Sequence, residues 1–386
     1  MNSRQRCIAA IQLEEPDRVP LDIAIEPHTL HTLMEFLGVE HERIERHQDI
    51  LPWGIGFATS SPRKGTRAIV DPKIEQVYRS LGIDMRHVEI GLQGGYDEWR
   101  VDEGLSWKEQ DVWGIKTLWG KSLASDGMTH TYRFLEHPLQ LVPLEEYHWP
   151  GVDSEGQNDV RKFCQKMEDY CICGYVTSLF EMAWQLIGFQ YLLVKMHRDP
   201  KLVEEILDHL DEIRTEQALL LAEAGVDVII TGEDVGMQRG MMISPSLFKH
   251  FLKPHYERWI RKVKSRHDVF IMYHSDGWIE PIIPDLIDVG VDILNPVQPE
   301  CMDPIKLKDL YGDKLCFHGT IGVQSTLPFG TVEDVVQEVN KRIRSMGDTG
   351  LILAPTHAIQ ADVSPEKIIA MYETARRYGR STVLST

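Results

Sequence analysis

From residue 199 onward the chain alternates between two patterns. Stretches with apolar residues at helical spacing lead into short, continuous apolar runs that end in polar residues. The first helix opens on Asp199-Pro200, carries Leu202, Ile206, Leu210 and Ile213 along one face, and leads into VDVIITGED. A second opens on Ser244-Pro245, with Phe248, Phe251, Leu252, Ile260 and Val263, and leads into VFIMYHSDG. Proline just inside a polar cap is a helix-start signal. Shorter units give VDILNPVQ, then KLCFHGTIG after a Gly312-Asp313 turn, then GLILAPTHAI after a helix from Thr331 to about Met346; a last helix opens on Ser364-Pro365.

Continuous apolar runs between amphipathic helices predict parallel strands buried on both faces. Earlier candidates are VPLDIAI (Val19 to Ile25), CICGYV (Cys171 to Val176) and a weaker run around Ile83 to Val88. The sum is about eight, the strand number of an α/β TIM barrel, a single (β/α)8 domain over residues 1–386. A doubly wound open sheet is the alternative. The stretch from about Glu89 to Trp149 breaks the rhythm with EWRVDEG, DVWGIKTLWG and HTYRFLEH, which predict antiparallel hairpins inserted between barrel units.

Composition narrows the function classes. Among 386 residues, 41 Lys+Arg against 59 Asp+Glu leave a formal net charge of −18. Nucleic acid and anionic membrane surfaces call for a basic footprint, so neither is an expected partner. The six cysteines, Cys7, Cys164, Cys171, Cys173, Cys301 and Cys316, are scattered without a CxxC pair. With neither a signal-peptide core at the N-terminus nor a long apolar run, the chain reads as cytoplasmic and soluble.

In a parallel barrel the active site gathers at the C-terminal strand ends. There stand Glu233 and Asp234, His274 and Asp276, Asn295 and Gln298, His318, and His357 with Gln360. Histidines and carboxylates converging on one mouth match the ligand set of a divalent metal such as Zn²⁺. His274-Ser275-Asp276 offers two ligands past one strand, with His357 and Glu233 closing the site from neighbouring strands. The plainer reading of each residue alone is a capping or hydrogen-bonding group. Gly232 to Gly236 lacks GxGxxG spacing and predicts no dinucleotide site. Cys316, inside an apolar run, reads as a buried structural thiol; Trp107, Trp113 and Trp119 either pack hairpins or stack on a flat cofactor. Of Asp22, Glu26 and His28, which follow the first strand candidate, one is expected to face the pocket.

The opening SRQRCIAAIQLEEPDRVP resembles the N-terminal signature of the uroporphyrinogen decarboxylase superfamily. The likeness continues through LGIDMRHV, DVWG, GEDVGMQRGMMISPSLFKHFLKPHY, HSDGWIEPIIPDLIDVGVDILNPVQP, FHGTIGVQ and LAPTHAIQADVSPEKI. It implies one (β/α)8 barrel. True uroporphyrinogen decarboxylases carry an arginine-rich segment after the first strand; here that place reads LDIAIEPHTL, without arginine. The cobalamin-dependent methyltransferase branch has a zinc motif H-x-C-G and a later L-A-P-G-C-type segment. His274 matches the motif histidine, while Asp276 and His357 stand where the cysteines would be.

The resemblance therefore implies a zinc-dependent methyltransferase that moves a methyl group between a small methylated substrate and a corrinoid-binding partner protein. Its expected metal ligands are His274, Asp276, His357 and Glu233. Glu233 and Asp276 are expected to be catalytic, and Asn295, Gln298, His318 and Gln360 to bind substrate. Replacing thiolates by harder ligands leaves zinc more Lewis-acidic, which tilts toward an O-methyl donor. A homodimer is left open. The competing readings are a cofactor-free decarboxylase or lyase acting on a small carboxylic acid, with Arg18, Arg86 and Arg239 as the cations to watch, and a binding protein without turnover.

Overall fold

A computed structural model describes residues 1–39, 65–68, 71–94, 99–103, 106–124, 127–347 and 349–381. Its centre is a curled, parallel, seven-stranded sheet, TIM-barrel-like in form, flanked by helices. The strands are β1 (Met85–Glu89), β2 (Cys171–Val176), β3 (Val228–Gly232), β4 (Phe270–His274), β5 (Ile293–Val297), β6 (Cys316–Ile321) and β7 (Leu351–Pro355), paired in that order. All seven are almost wholly buried, as continuous apolar runs require.

The expected first strand, Val19 to Ile25, is not continuous. It meets β7 through two isolated bridges, Leu21 to Leu353 and Ile25 to Ile359. On its other side the Leu21 carbonyl accepts from the Asp84 amide, just before β1. The partner of the Leu21 N–H is not a backbone carbonyl but Oδ2 of Asp84, at 2.8 Å. Proline 20, lacking an N–H, interrupts the ladder beside it. One stave thus stands between β7 and β1 held by side-chain bonds as much as by backbone ones.

Asp84 also explains the opening motif. Arg6, on the helix Ser3–Ile11, bonds Asp84 Oδ1 at 2.7 Å and both oxygens of Asp17. Arg18 bonds both Asp84 oxygens, at 2.7 and 2.9 Å. The Arg and the P-D-R turn are one ion network around a fully buried carboxylate at the N-terminal end of β1.

Alternation along each strand sets the interior. Met85, Cys171, Cys173, Val228, Ile230, Met272, Ile293, Cys316 and Ile352 form one apolar cluster inside the sheet. Two residues further along their strands, and so on the same face, come His87, His274, Asn295 and His318. An apolar layer therefore floors a polar one.

The helices follow the predicted starts with one irregularity. Ser244 caps the turn at Pro245, but the helix passes through a π-turn at Phe248–Leu252 before continuing as Lys253–Lys264. Pro254 has no N–H to donate back to residue 250, which accounts for the wider turn. Between β1 and β2 lie four antiparallel strands, Trp99–Glu103, Ser106–Gln110, Lys116–Ala124 and Gly127–Glu136. Residues 95–98, 104–105 and 125–126 fall outside the described residues. Trp113 is wholly buried. All six cysteines are unpaired. Among the described residues no helix is long and apolar enough to cross a membrane.

Removing Asp84 leaves two guanidinium groups without their buried partner, a loss that typically costs about 3–5 kcal/mol. Asp84→Ala is expected to lower the unfolding free energy by that order in urea titration. Arg161→Ala, which breaks only an exposed contact to Asn158, is expected to change it by less than about 0.5 kcal/mol.

Candidate functional site

Two strand-end loops interlock above the sheet. Residues 233–236 follow β3 and residues 275–277 follow β4. A Cβ on Gly236 would stand 2.3 Å from the Asp276 carbonyl, and one on Gly277, in the left-handed region at φ +82°, would stand 2.6 Å from the Met237 amide. Both positions call for glycine because backbone meets backbone. The loops are stitched by the Glu233 amide to the His274 carbonyl, the Val235 amide to Ser275 Oγ, and the Asp276 amide to Asp234 Oδ1 at 2.8 Å.

This interlock gathers Asp234, His274 and Asp276, each offering a ligand atom within 4.8 Å of the others. His274 Nε2 lies 3.5 Å from Asp234 Oδ1. Asp276 Oδ1 is buried and accepts no hydrogen bond from the described residues. His357, following β7, is more than one-third exposed, with Nε2 3.9 Å from Asp276 Oδ2.

The electrostatics express two carboxylates crowded beside one imidazole. Burial pushes the Asp276 carboxyl up, and the neighbouring Asp234 charge adds to it. Burial also acts upward on Asp234, but the hydrogen bond and charge of His274 outweigh it and hold that carboxyl down. Burial opposes charge on His274, yet Asp234 and Asp276 raise it above the ordinary histidine value. A divalent cation among these groups would relieve the carboxylate repulsion, and one imidazole with two carboxylates is a donor set that zinc accepts.

Glu233 does not join this group, which corrects its expected place among the ligands. Successive residues leaving a strand point to opposite sides, so Asp234 faces His274 while Glu233 turns outward from it. Glu233 accepts from the Leu179 and Phe180 amides at 2.5 and 2.6 Å, at the start of the helix Phe180–Ile187, and from Tyr256 Oη at 2.6 Å. Arg214 lies 3.7 Å away. Burial pushes its carboxyl up against the pull of those partners. Its oxygens are occupied in anchoring the loop after β2.

The remaining expected residues are placed as follows. Gln298 accepts the Gly277 amide at 2.6 Å and so supports the interlocked loop. Asn295 Oδ1 is 2.5 Å from His274 Nδ1, and its amide nitrogen is 2.5 Å from His318 Nδ1. His318 Nε2 is 3.0 Å from Asp22 Oδ2. Gln360 is half-buried and donates to Glu26 Oε1 at 3.5 Å. Above His318 the chain turns through left-handed Gly319 and Thr320; a β-branched residue at φ +75° is strained.

Sequence reasoning did not place Asp234 among the ligands, nor His87, whose Nε2 sits 3.2 Å from each oxygen of Asp22. The signal was available in the strand parity: His87 is two residues past the inward Met85, and Asp234 follows one that turns away. Of the three cations relevant to a decarboxylase, Arg18 is tied to Asp84 and Arg86 is fully buried against Glu75, at 2.7 and 3.0 Å. Arg239 is exposed.

Glu26 adds a titratable group at the same end of the sheet. Its amide bonds the Ile359 carbonyl, and burial pushes its carboxyl up to about 7 despite the bond from Gln360.

A family model for uroporphyrinogen decarboxylase (URO-D) matches residues 159–378. The chain is similar to the uroporphyrinogen decarboxylase of Chlorobium phaeobacteroides, 23% identical over 183 residues, which cover 46% of this chain and 50% of the relative. It is 21% identical to that of Chlorobaculum tepidum over 182 residues, with the same coverage. The chain thus matches about half the length of these curated relatives. Among solved structures, a methyltransferase from Methanosarcina mazei superposes with a TM-score of 0.64 at 19% identity, covering 98% of this chain and 99% of that one. That likeness is one of fold.

Two outcomes test the site's construction. Gly236→Ala drives a methyl group into the Asp276 carbonyl and is expected to cost about 1–3 kcal/mol in chemical unfolding. Glu26 has a folded value above its unfolded one of about 4.5, so folding takes up protons there. Its contribution is fully present below that unfolded value and is lost as pH rises to about 7. Glu26→Gln is expected to gain stability relative to wild type across that window, by up to about 3 kcal/mol, and to run parallel to it above. A pH-independent difference between the two proteins would refute the assignment.

Proposed function

Because the chain belongs to the uroporphyrinogen decarboxylase family, we propose that it is an enzyme whose reaction runs at the strand ends around Asp234, His274 and Asp276. The reading supported best is a zinc-dependent methyltransferase that passes a methyl group from a small O-methylated substrate to the cobalt of a corrinoid-binding partner protein. The observation that carries it is the clustering of one imidazole and two carboxylates within 4.8 Å, with an Asp276 oxygen that accepts no hydrogen bond among the described residues. In this reading residues 1–386 act as one (β/α)8 domain with the segment at 19–25 as the eighth stave and about 89–149 as an insertion.

Asp234, His274 and Asp276 would hold the metal, with His357 beside Asp276 as a further donor. Three protein ligands with an open position are the pattern of a catalytic rather than a structural site. Zinc in that place supplies a Lewis acid that polarises a bound ether or alcohol oxygen. The protein's own residues do the rest. Gln298 and the two glycines keep the loops registered, so that the donors stay converged. Loss of a methyl group from such a substrate would leave an oxygen that needs a proton. Glu26, whose carboxyl holds one near neutral pH, is the donor we assign to it. Gln360 orients that carboxyl through its bond to Oε1, and His357 is exposed enough to meet substrate.

A carboxy-lyase acting on a small carboxylic acid fits less well. Substrate carboxylates need cations to pair with, and Arg18 and Arg86 are already committed to Asp84 and Glu75.

Purified protein reconstituted with zinc and desalted is expected to retain one zinc per chain by elemental analysis. Asp276→Ala and His274→Ala are expected to retain less than about a tenth of that, with unchanged circular dichroism. Zinc-independent carbon dioxide release from an organic acid, with no zinc retained by wild type, would replace this reading with the carboxy-lyase one.

A further inference from the structure

Glu233 takes no part in the candidate metal group, yet both its oxygens are committed to one turn. That turn follows β2 and leads into the helix Phe180–Ile187. Glu233 accepts from the Leu179 and Phe180 amides at 2.5 and 2.6 Å. A second side chain holds the other flank. Gln217, on the helix Pro200–Ala224, accepts the Thr177 amide at 2.9 Å and the Thr177 hydroxyl at 2.8 Å, and donates to the Ile90 carbonyl just past β1 at 2.8 Å. Glu233 and Gln217 are both wholly buried. Two polar groups inside the protein are thus spent on fixing residues 177, 179 and 180.

The residue between the two clamps is Ser178. Thr177 reaches outward to Gln217, and Leu179 packs in the apolar core between sheet and helices. Alternation along the chain therefore leaves Ser178 on the inner side, at the mouth. It also stands beside the candidate metal group. Val176 pairs with Thr231, so two residues further along each chain Ser178 is level with Glu233, and Asp234 comes next. Ser178 is 1% exposed, and its hydroxyl is buried with no hydrogen-bond partner among the described residues. A buried hydroxyl left in that state opposes folding, and a turn clamped on both sides cannot shift to find a partner.

We propose that Ser178 is a substrate-binding residue, whose hydroxyl bonds an oxygen of a small neutral alcohol or ether seated at the mouth. The class follows from the chemistry of the group and its neighbours. A hydroxyl donates to an ether or alcohol oxygen and accepts from an alcohol. It brings no charge to pair with an anion, and Arg86 and Arg214, on adjoining elements, are already bound to Glu75 and Asp211. The inference rests on the methyl-transfer reading for what becomes of the substrate, but binding at Ser178 depends neither on zinc nor on turnover.

The test has one readout without ligand and one with it. Ser178→Ala removes a hydroxyl that bonds nothing in the ligand-free protein, so its urea midpoint is expected to equal or exceed that of wild type. Thr177→Val strips the hydroxyl held by Gln217 and is expected to lower the midpoint. A Ser178→Ala midpoint that falls as far as that of Thr177→Val shows a hydroxyl serving the fold and overturns the proposal. For the second readout, 2-methoxyethanol, which carries both an ether and an alcohol oxygen, is titrated into zinc-treated and metal-free protein and followed in amide NMR spectra. The amides around Ser178 are expected to shift saturably in wild type, and Ser178→Ala to bind about 2- to 10-fold more weakly, the worth of one hydrogen bond. No saturable shift at that turn in wild type, or equal affinity in Ser178→Ala, overturns the proposal. Methyl transfer from 2-methoxyethanol to cob(I)alamin is assayed alongside: binding at Ser178 without transfer counts against the reaction and leaves the binding site standing.

Discussion

A carboxylate buried inside a curled sheet is tolerable only if its lone pairs meet donors, and this constraint shapes the molecule at three levels. At the N-terminal end of β1, Asp84 is satisfied by two arginines and the Leu21 amide, and this joins the irregular first stave to the sheet. In the interior, Asp22 is satisfied by two histidines. Above β3, Glu233 is satisfied by two helix amides and a tyrosine. Each uses charge-assisted bonds, which are about twice as strong as neutral ones. At the mouth the requirement is not met from within, since among the described residues Asp276 Oδ1 is buried and accepts no hydrogen bond.

That contrast separates structure from chemistry more sharply than residue type does. Asp234 and Glu233 are adjacent acids on one loop, yet one is converged with His274 and the other is walled in by backbone amides. Identical functional groups acquire opposite roles from which side of a strand they leave. Likewise Arg18, Arg86 and Arg214 are cations near strand ends, but each is committed to a buried acid, so they lend rigidity and are closed to a substrate. The two carboxylates crowded beside His274 are the ones we propose for a cation and a reaction.

The interlocked glycines show how little tolerance the arrangement has. Gly236 and Gly277 let two loops touch backbone to backbone, and only that contact brings Asp234 within reach of Asp276. The support then extends downward through Gln298 and Asn295 into the layer of His318 and Asp22. The polar layer is rigid because it stands on an apolar one, in which Met85, Met272, Ile293 and Cys316 fill the space beneath. Binding groups held this way need little reorganisation when a ligand arrives.

Much of this was legible in the sequence, and the division has a physical basis. Apolar runs between capped helices determined seven parallel strands, because burial on both faces demands side chains without polar groups wherever a strand crosses the core. The polar residues just past those runs located the functional end, since only strand ends can expose them. What the sequence left open depended on distances between residues far apart in the chain. How closely Asp234 approaches Asp276 turned on how one loop packs against another. That the first stave is bridged rather than continuous turned on the Leu21 amide, next to Pro20, meeting the side chain of Asp84, 63 positions away in the chain. The link from Asp22 to His274 passes through three strand-borne residues, His318, Asn295 and His274, that no local pattern connects. Periodicity records which face a residue takes; only the curled sheet brings those faces together, and hydrogen bonds of about 2.5–3 Å have no counterpart in a linear pattern.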